Sequence, residues 1–171
     1  PALAPLLAAA NITVLSCVPT LLSLLHDDIP SLRLLIFAGE ACPPDLVRRW
    51  TKPSRRIVNT YGPTEATVIA TASDCTPDQP VTIGRPISNY RIYILDESLA
   101  PLPPGQPGEL CISGPGLSPG YLHRPELTAE KFIPNPFDSA PPFDRLYRSG
   151  HLARLLPAGQ IEFLGRIDSQ V

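Results

Sequence analysis

The sequence predicts an α/β fold in which a parallel βαβ sheet segment is followed by a β-rich, barrel-like subdomain of hairpins. In the first part, short apolar runs alternate with helical patterns at the spacing of βαβ units. After Thr71 the pattern changes to short β-branched and aromatic runs, divided by clusters such as "APLPPGQPG". We therefore expect two subdomains, residues 1–73 and residues 74–171.

Three strands and two helices are predicted in the first subdomain. The run "ITVLSCV" is apolar and β-branched without alternation, which indicates a strand covered on both faces. Pro19 and Pro44 suit the first turns of the two helices, and "TLLSLL" carries a wide leucine stripe. Parallel strands that are linked by helices cross over with a right hand. The predicted strands span residues 12–18, 32–40 and 55–62.

The second subdomain carries three further strand patterns, "YRIYIL", "GELCIS" and "IEFLGRI". Clusters of proline and glycine between these runs predict turns, so we expect hairpins. The stretch "PELTAEKF" predicts one short helix, because proline stands at its start and charges of both signs lie on its open face.

The charge and the cysteine content of the chain limit the classes of binding partner and the cellular location that we expect. The 14 basic and 16 acidic residues give a net charge of -2 without like-charge blocks, which argues against a nucleic-acid partner. The four cysteines stand far apart without a C-x-x-C pair, so neither a zinc site nor a disulfide framework is predicted. Pro5, Asn11 and Pro19 interrupt the uncharged start of the chain, so we expect no membrane span. A cytoplasmic location fits, and the absence of methionine indicates a segment of a longer protein.

Two polar loops, "AGEACPP" and "NTYGPTE", follow the second and third predicted strands. Ligands collect at the carboxyl ends of parallel strands, so we expect neighbouring strands to bring these loops together. Gly39 would allow close approach of a planar ligand, and Tyr61 offers a stacking face. Thr64 can donate to a phosphate oxygen, and the Glu65 carboxylate suits magnesium. These residue types together predict a nucleotide site.

A simpler interpretation of the second loop is structural. Asn59, Gly62 and Pro63 are turn-forming residues, and they would close a turn before Thr64 begins the next element. Taken alone, such a turn is commoner than a binding site.

The order of further segments favours the binding site. With "NTYGPTE", the segments "LRLLIFAGEA", "IGRPISNYRIYILD", "GELCISGPGLSPGYLHRPELTAEKF", "LYRSGHLAR" and "GRIDSQV" span nearly the whole chain. The sequence resembles the adenylation domains of nonribosomal peptide synthetases, in the adenylate-forming enzyme superfamily. The resemblance implies an adenylate-forming ligase that activates an amino acid with ATP and Mg²⁺. The acyl group would then pass to the phosphopantetheine thiol of a carrier-protein domain.

The resemblance also implies roles for individual residues. Glu65 resembles the magnesium ligand, and Asp168 matches the hinge of the small C-terminal domain. No catalytic residue is assigned. The positions that resemble ATP contacts are Gly39, Glu40, Ala41, Asn59, Tyr61, Gly62, Thr64, His151 and Arg166.

Other positions correspond to the side-chain pocket for the acid in this family. None of them offers a carboxylate or an ammonium group, so an uncharged, mainly apolar substrate side chain is predicted. Ile36, Val68 and Ile69 would also suit an ordinary strand core. The positions are Ser16, Ile36, Ala38, Thr60, Val68 and Ile69.

Two features depart from the family pattern. His151 stands where the family has an aspartate that accepts hydrogen bonds from both ribose hydroxyls, so weaker ATP binding is expected. The glycine-rich phosphate loop, the aspartate for the amino group and the C-terminal lysine are not among these residues, so we expect the segment alone to be inactive. Two alternatives remain: a fatty-acyl or aryl ligase of the same superfamily, and a catalytically vestigial domain retained for architecture.

Overall fold

The computed structural model describes residues 3–167, so the predicted hinge at Asp168 lies outside the described residues. The chain divides into two compact units that interleave in sequence. The expected subdomain boundary between residues 73 and 74 stays a prediction. Unit 1 comprises Pro1–Thr60 and Ala72–Thr82, and unit 2 comprises Tyr61–Thr71 and Ile83–Val171.

The first stretch of the chain forms the predicted parallel α/β arrangement. Strands β1, β2 and β3 lie side by side and run parallel, in chain order. Proline begins both α2 and α3, as the sequence predicts. The elements are α1 (Leu3–Ala9), β1 (Val14–Cys17), α2 (Pro19–Ser23), β2 (Leu34–Phe37), α3 (Pro44–Trp50), β3 (Arg56–Tyr61) and β4 (Thr71–Asp74).

The predicted burial of β1 on both faces is wrong. Val14 is 52% exposed, whereas Leu15 and Cys17 are half-buried and pack against the core of unit 1. Alternate side chains leave the pleat on opposite faces, and the face that carries Val14 and Ser16 is exposed. In β2, by contrast, Leu35 and Phe37 are fully buried in this core.

A buried arginine anchors the chain between α3 and β3. The Arg55 side chain is 2% exposed, and its guanidinium lies against the Trp50 ring. Its nitrogens donate to the Leu32 carbonyl at 3.3 Å, the Trp50 carbonyl at 3.1 Å and the Ile29 carbonyl at 2.8 Å. It also donates to the Asp28 carboxylate at 2.9 Å. This cation therefore satisfies backbone groups that have little access to water.

Unit 2 is the predicted β-rich part. Four strands form an antiparallel sheet in the order β10, β9, β7, β6, and β8 pairs with β9. The predicted α/β fold class, with its parallel segment and β-rich part, is confirmed. The elements of unit 2 are a 3-10 turn (Thr64–Ala66), β5 (Arg85–Pro86), β6 (Arg91–Leu95), β7 (Pro107–Ser113), α4 (Pro125–Lys131), β8 (Phe132–Pro134), β9 (Arg145–Leu155) and β10 (Ile161–Arg166).

Strand β9 is the longest strand of unit 2, and the sequence patterns did not predict it. Its middle is polar, but these groups find partners on β7. Arg148 donates to the Glu109 carboxylate at 2.7 Å, and the Gly150 N–H donates to the other oxygen of that carboxylate at 3.0 Å. The strand therefore holds its polar side chains in a fixed register, and His151 is one of them.

Within residues 3–167, every helix is too short or too polar to cross a bilayer.

Candidate nucleotide site

The loop after β2 is tied to the first turn of α2. Gly39 has a φ of +83°, a left-handed conformation that glycine adopts without strain. The Thr20 N–H and hydroxyl both donate to the Glu40 carboxylate, at 2.9 and 2.6 Å. These hydrogen bonds, first that from the hydroxyl, hold the pKa of the Glu40 carboxyl below its ordinary value. Thr20 therefore fixes the loop that contains Glu40 and Ala41. The sequence patterns did not indicate Thr20.

Four of the predicted pocket positions share one face of the parallel sheet. Ser16 lies opposite Ile36 in the register of β1 and β2. Ala38, directly after the end of β2, and Thr60, on β3, continue the same alternation two residues further along. Ser16 is exposed, Ile36 and Ala38 are half-buried, and Thr60 is buried. The Thr60 hydroxyl donates to the Phe37 carbonyl at 2.8 Å, so it serves the sheet itself.

Asn59 is buried, and its side-chain amide also has a structural partner. The Nδ2 atom donates to the Thr82 carbonyl at 2.9 Å, which links β3 to the segment after β4. This contact belongs to β3 and does not close the turn before Thr64. The ATP contacts predicted for Asn59 and for residues 39–41 stay predictions.

In unit 2, Gly62 allows two parts of the next loop to approach closely. A Cβ atom at this position would lie 2.7 Å from both the Ala70 nitrogen and the Val68 oxygen. Thr67 and Val68 have φ angles of +52° and +71°, an uncommon conformation for β-branched residues. Val68 is 64% exposed, and Ile69 is half-buried. The pocket roles of Val68 and Ile69 stay predictions.

The Glu65 carboxylate lies beside two tyrosine hydroxyls. The Tyr121 hydroxyl donates to Glu65 Oε1 at 2.6 Å and lies 3.5 Å from the Tyr147 hydroxyl. Burial raises the pKa of both tyrosines, and the nearby Glu65 carboxylate raises it further. Both phenols therefore stay protonated and can donate. Thr64, the neighbour of Glu65, is exposed.

Glu65 fits the role of a single protein ligand to a metal that a phosphate carries. Magnesium keeps several waters and is held by one or two carboxylates plus substrate phosphates. Between residues 3 and 167, no group of three or more histidine, cysteine, aspartate or glutamate side chains could hold a metal ion.

His151 connects Tyr61 to Arg166. The Tyr61 hydroxyl lies 2.6 Å from His151 Nδ1, and the Arg166 guanidinium lies 3.0 Å from His151 Nε2. Arginine can only donate, so Nε2 accepts and the ring proton is on Nδ1, which donates to Tyr61. The Phe163 ring lies 5.9 Å from the Tyr61 ring and 5.4 Å from that of His151. Burial raises the pKa of the Tyr61 hydroxyl, which keeps it protonated.

This tautomer determines what His151 can offer a ligand. In the neutral ring, the lone pair on Nε2 accepts from Arg166 and the proton on Nδ1 is donated to Tyr61. A ribose hydroxyl that donates would therefore compete with Arg166 for the same nitrogen. The aspartate that the family resemblance implies at this position has no such restriction, because a carboxylate accepts several hydrogen bonds.

Unit 2 therefore brings several predicted site residues into one neighbourhood. Tyr61, His151 and Arg166 form one hydrogen-bonded row, and Gly62, Thr64 and Glu65 follow Tyr61 in the chain. Sequence reasoning missed Tyr121, although the segment "GYLHRPELT" that contains it contributed to the resemblance.

Comparison with known proteins supports the resemblance. Residues 1–122 match the family model described as AMP-binding enzyme. The chain is 48% identical over 161 residues to delta-poly-L-ornithine synthetase of Acinetobacter baumannii, which covers 94% of this chain and 12% of that protein. It is 54% identical over 164 residues to tyrocidine synthase 2 of Brevibacillus parabrevis, which covers 94% of this chain and 4% of that protein. The chain thus spans a small part of the curated relatives it matches.

Two solved structures also resemble this chain. The crystal structure of the nonribosomal peptide synthetase FmoA3 in its alpha-methyl-L-serine-AMP bound form matches with a TM-score of 0.86 and 37% identity, over 98% of this chain and 20% of that one. The crystal structure of CmiS6 matches with a TM-score of 0.86 and 31% identity, over 96% of this chain and 43% of that one. The predicted resemblance to nonribosomal peptide synthetase adenylation domains is confirmed.

Proposed function

Because the chain belongs to the AMP-binding enzyme family, we propose that it is part of an adenylation domain that activates an amino acid with ATP. The substrate carboxylate attacks the α-phosphate, which gives an aminoacyl adenylate and pyrophosphate. The match of residues 1–122 to this family model supports the proposal most strongly, and Tyr61, Arg166 and the Glu65 carboxylate are the groups of unit 2 that suit it.

The residues of unit 2 would bind and orient the nucleotide. The Tyr61 ring offers a stacking face for adenine, and the Phe163 and His151 rings contact it with centroid distances of 5.9 and 5.6 Å. Arg166 would contact the ribose, and the exposed Thr64 hydroxyl would donate to a phosphate oxygen. Glu65 would be the protein ligand to Mg²⁺, which neutralises phosphate charge when it is bound. These groups stabilise charge and position the reactants, which is how phosphate chemistry is accelerated.

We propose an uncharged, mainly apolar side chain for the substrate. Ser16, Ile36, Ala38 and Thr60 share one sheet face, and none of them carries a charge. A charged substrate side chain buried against such a face would lose its hydration without gaining a partner.

Amino-acid-dependent exchange of pyrophosphate into ATP, measured on the full-length protein, tests this function. We expect exchange with an uncharged amino acid, and we expect Glu65→Gln to reduce it. Exchange only with fatty or aryl acids would instead support an acyl ligase of the same superfamily, and the absence of exchange with every acid would contradict the proposal. Because the chain spans 2% to 24% of its first curated relatives, we expect no exchange by these residues alone.

A carrier-protein domain is the proposed acceptor of the activated acid. The support is the relatives, one of which is named as a probable non-canonical nonribosomal peptide synthetase. We propose that the protein acts in the cytoplasm, where ATP and the carrier thiol are available. Loading of a radiolabelled amino acid onto a phosphopantetheine-bearing carrier domain would test this partner, and failure of an exchange-active protein to load it would count against it.

A catalytically vestigial domain is the second candidate function. It is favoured by one observation, the replacement of the ribose-binding aspartate by His151, whose two ring nitrogens contact Tyr61 and Arg166. Calorimetry with ATP and Mg²⁺ on the full-length protein separates the two candidates. Binding supports the active enzyme, and a complete lack of binding supports the vestigial domain.

A further inference from the structure

The Glu65 carboxylate is held by a hydrogen bond before any ligand arrives. The Tyr121 hydroxyl lies 2.6 Å from Glu65 Oε1, and an ionised carboxylate can only accept, so the tyrosine donates. A glutamate side chain without such a contact samples many rotamers. Restricting it to one rotamer when a ligand binds costs conformational entropy, which weakens binding. This hydrogen bond therefore selects one carboxylate position in advance.

Tyr121 is itself fixed by the start of α4. Its N–H donates to Thr128 Oγ1 at 2.9 Å, and the Thr128 hydroxyl donates to the Arg124 carbonyl at 2.9 Å. The Tyr121 ring packs edge-on against Phe132 with 5.7 Å between the ring centroids. A Cβ atom on Gly120 would lie 2.3 Å from Thr128 Cγ2, so only glycine permits this approach. The hydroxyl that reaches Glu65 is thus supported by backbone and ring contacts.

The same segment also holds the backbone of Glu65. The Ser118 N–H donates to the Glu65 carbonyl at 2.8 Å. The Arg145 guanidinium donates to the Ser118 carbonyl at 2.9 Å and to the Pro119 carbonyl at 3.0 Å, which fixes this segment to β9. Residues 118–121 therefore hold Glu65 at its main chain and at its side chain.

We propose that Tyr121 is a positioning residue that holds the Glu65 carboxylate ready for the divalent cation of a bound nucleoside triphosphate. The inference rests on the proposed function. One hydrogen bond occupies one lone pair of the carboxylate, and the remaining lone pairs can face a cation. Groups that orient a metal ligand typically change metal affinity or activity by about 10- to 100-fold when they are removed.

The test compares Tyr121→Phe with a matched control in the full-length protein. Tyr121→Phe removes the hydroxyl and keeps the ring that packs on Phe132. The control is Tyr93→Phe, which removes a hydroxyl from a β6 tyrosine whose ring stacks on Phe137. Calorimetry measures the Kd of ATP with saturating Mg²⁺ and again in EDTA, and thermal melting without ligand checks folding.

For Tyr121→Phe we expect the Kd of ATP with Mg²⁺ to rise about tenfold, while the Kd in EDTA and the melting temperature stay unchanged. Tyr93→Phe should change neither Kd. An equal rise of both Kd values, or no rise at all, would overturn the positioning role. Suppose that the wild-type protein binds ATP with Mg²⁺, and that Glu65→Gln weakens this binding while Tyr121→Phe does not. The positioning role of Tyr121 is then wrong, and the proposed function stands. If the wild type does not bind ATP, the proposed function fails.

Discussion

Replacing His151 by aspartate should strengthen ATP binding. In the neutral ring, Nδ1 donates to Tyr61 and Nε2 accepts from Arg166, at 2.6 and 3.0 Å. A ribose hydroxyl that donates to this ring must therefore displace Arg166. An aspartate can accept from Arg166 and from both ribose hydroxyls at once, because a carboxylate has several acceptor positions.

The size of the effect follows from the number of hydrogen bonds gained. A hydrogen bond to a charged group contributes about 1.5 kcal/mol at the low end of its range, so two of them give about 3 kcal/mol. A difference of about 3 kcal/mol corresponds to about 100-fold in Kd. Asparagine supplies one neutral acceptor oxygen, so His151→Asn should gain about 1 kcal/mol, or about fivefold.

Isothermal titration calorimetry of ATP with Mg²⁺ on the full-length protein measures the Kd of ATP for each variant. The expected ranking of affinity is aspartate, then asparagine, then the natural histidine. An Asp variant that binds ATP no more tightly than the natural protein would refute the reasoning. A gain in ATP affinity in the Asp variant without faster pyrophosphate exchange would show that ATP affinity does not limit the exchange.

Three further predictions concern the supports of the fold, each measured on the full-length protein. Arg55→Lys should lower the free energy of local opening around Ile29, Leu32 and Trp50 by about 3 kcal/mol, because the buried carbonyls of these residues lose their donors; unchanged amide hydrogen exchange there would contradict this. Gly62→Ala should destabilise its loop by about 2 kcal/mol through overpacking against Ala70, and an unchanged melting temperature would argue against that contact. Burial raises the pKa of Asp28, but the hydrogen bond and charge of Arg55 outweigh burial and lower this pKa overall. The natural protein should therefore be more stable than Asp28→Asn at neutral pH, and this advantage should be lost as the pH falls below about 4. An advantage that persists at low pH would show that the charge of Asp28 is irrelevant.

Elements with strong local patterns were predicted correctly. Helix α3 begins with proline at Pro44, and β3 contains the β-branched pair Ile57 and Val58 and ends at the polar loop after Tyr61. Strand β9 has no such pattern, because its polar residues find their partners on other elements, as Arg148 does on β7 and Arg154 does on β10. The exposure of Val14 was missed because an apolar run without alternation does not indicate which face of a strand will be exposed.

The candidate site shows the same limit. Residue types and motif order could indicate Tyr61, Glu65 and Arg166, because their chemistry suits a nucleotide. The sequence could not indicate that Tyr121 would reach Glu65, since the two positions are 56 residues apart and the contact depends on the fold of the segment before α4. Nor could it show which nitrogen of His151 carries the proton, because that depends on both partners of the ring.

The most direct test of the nucleotide site is a crystal structure of the full-length protein with bound AMP. We expect the adenine ring to stack on the face of Tyr61 and the ribose to lie beside Arg166. A nucleotide bound away from these residues, in a crystal in which they are ordered and accessible, would contradict the account.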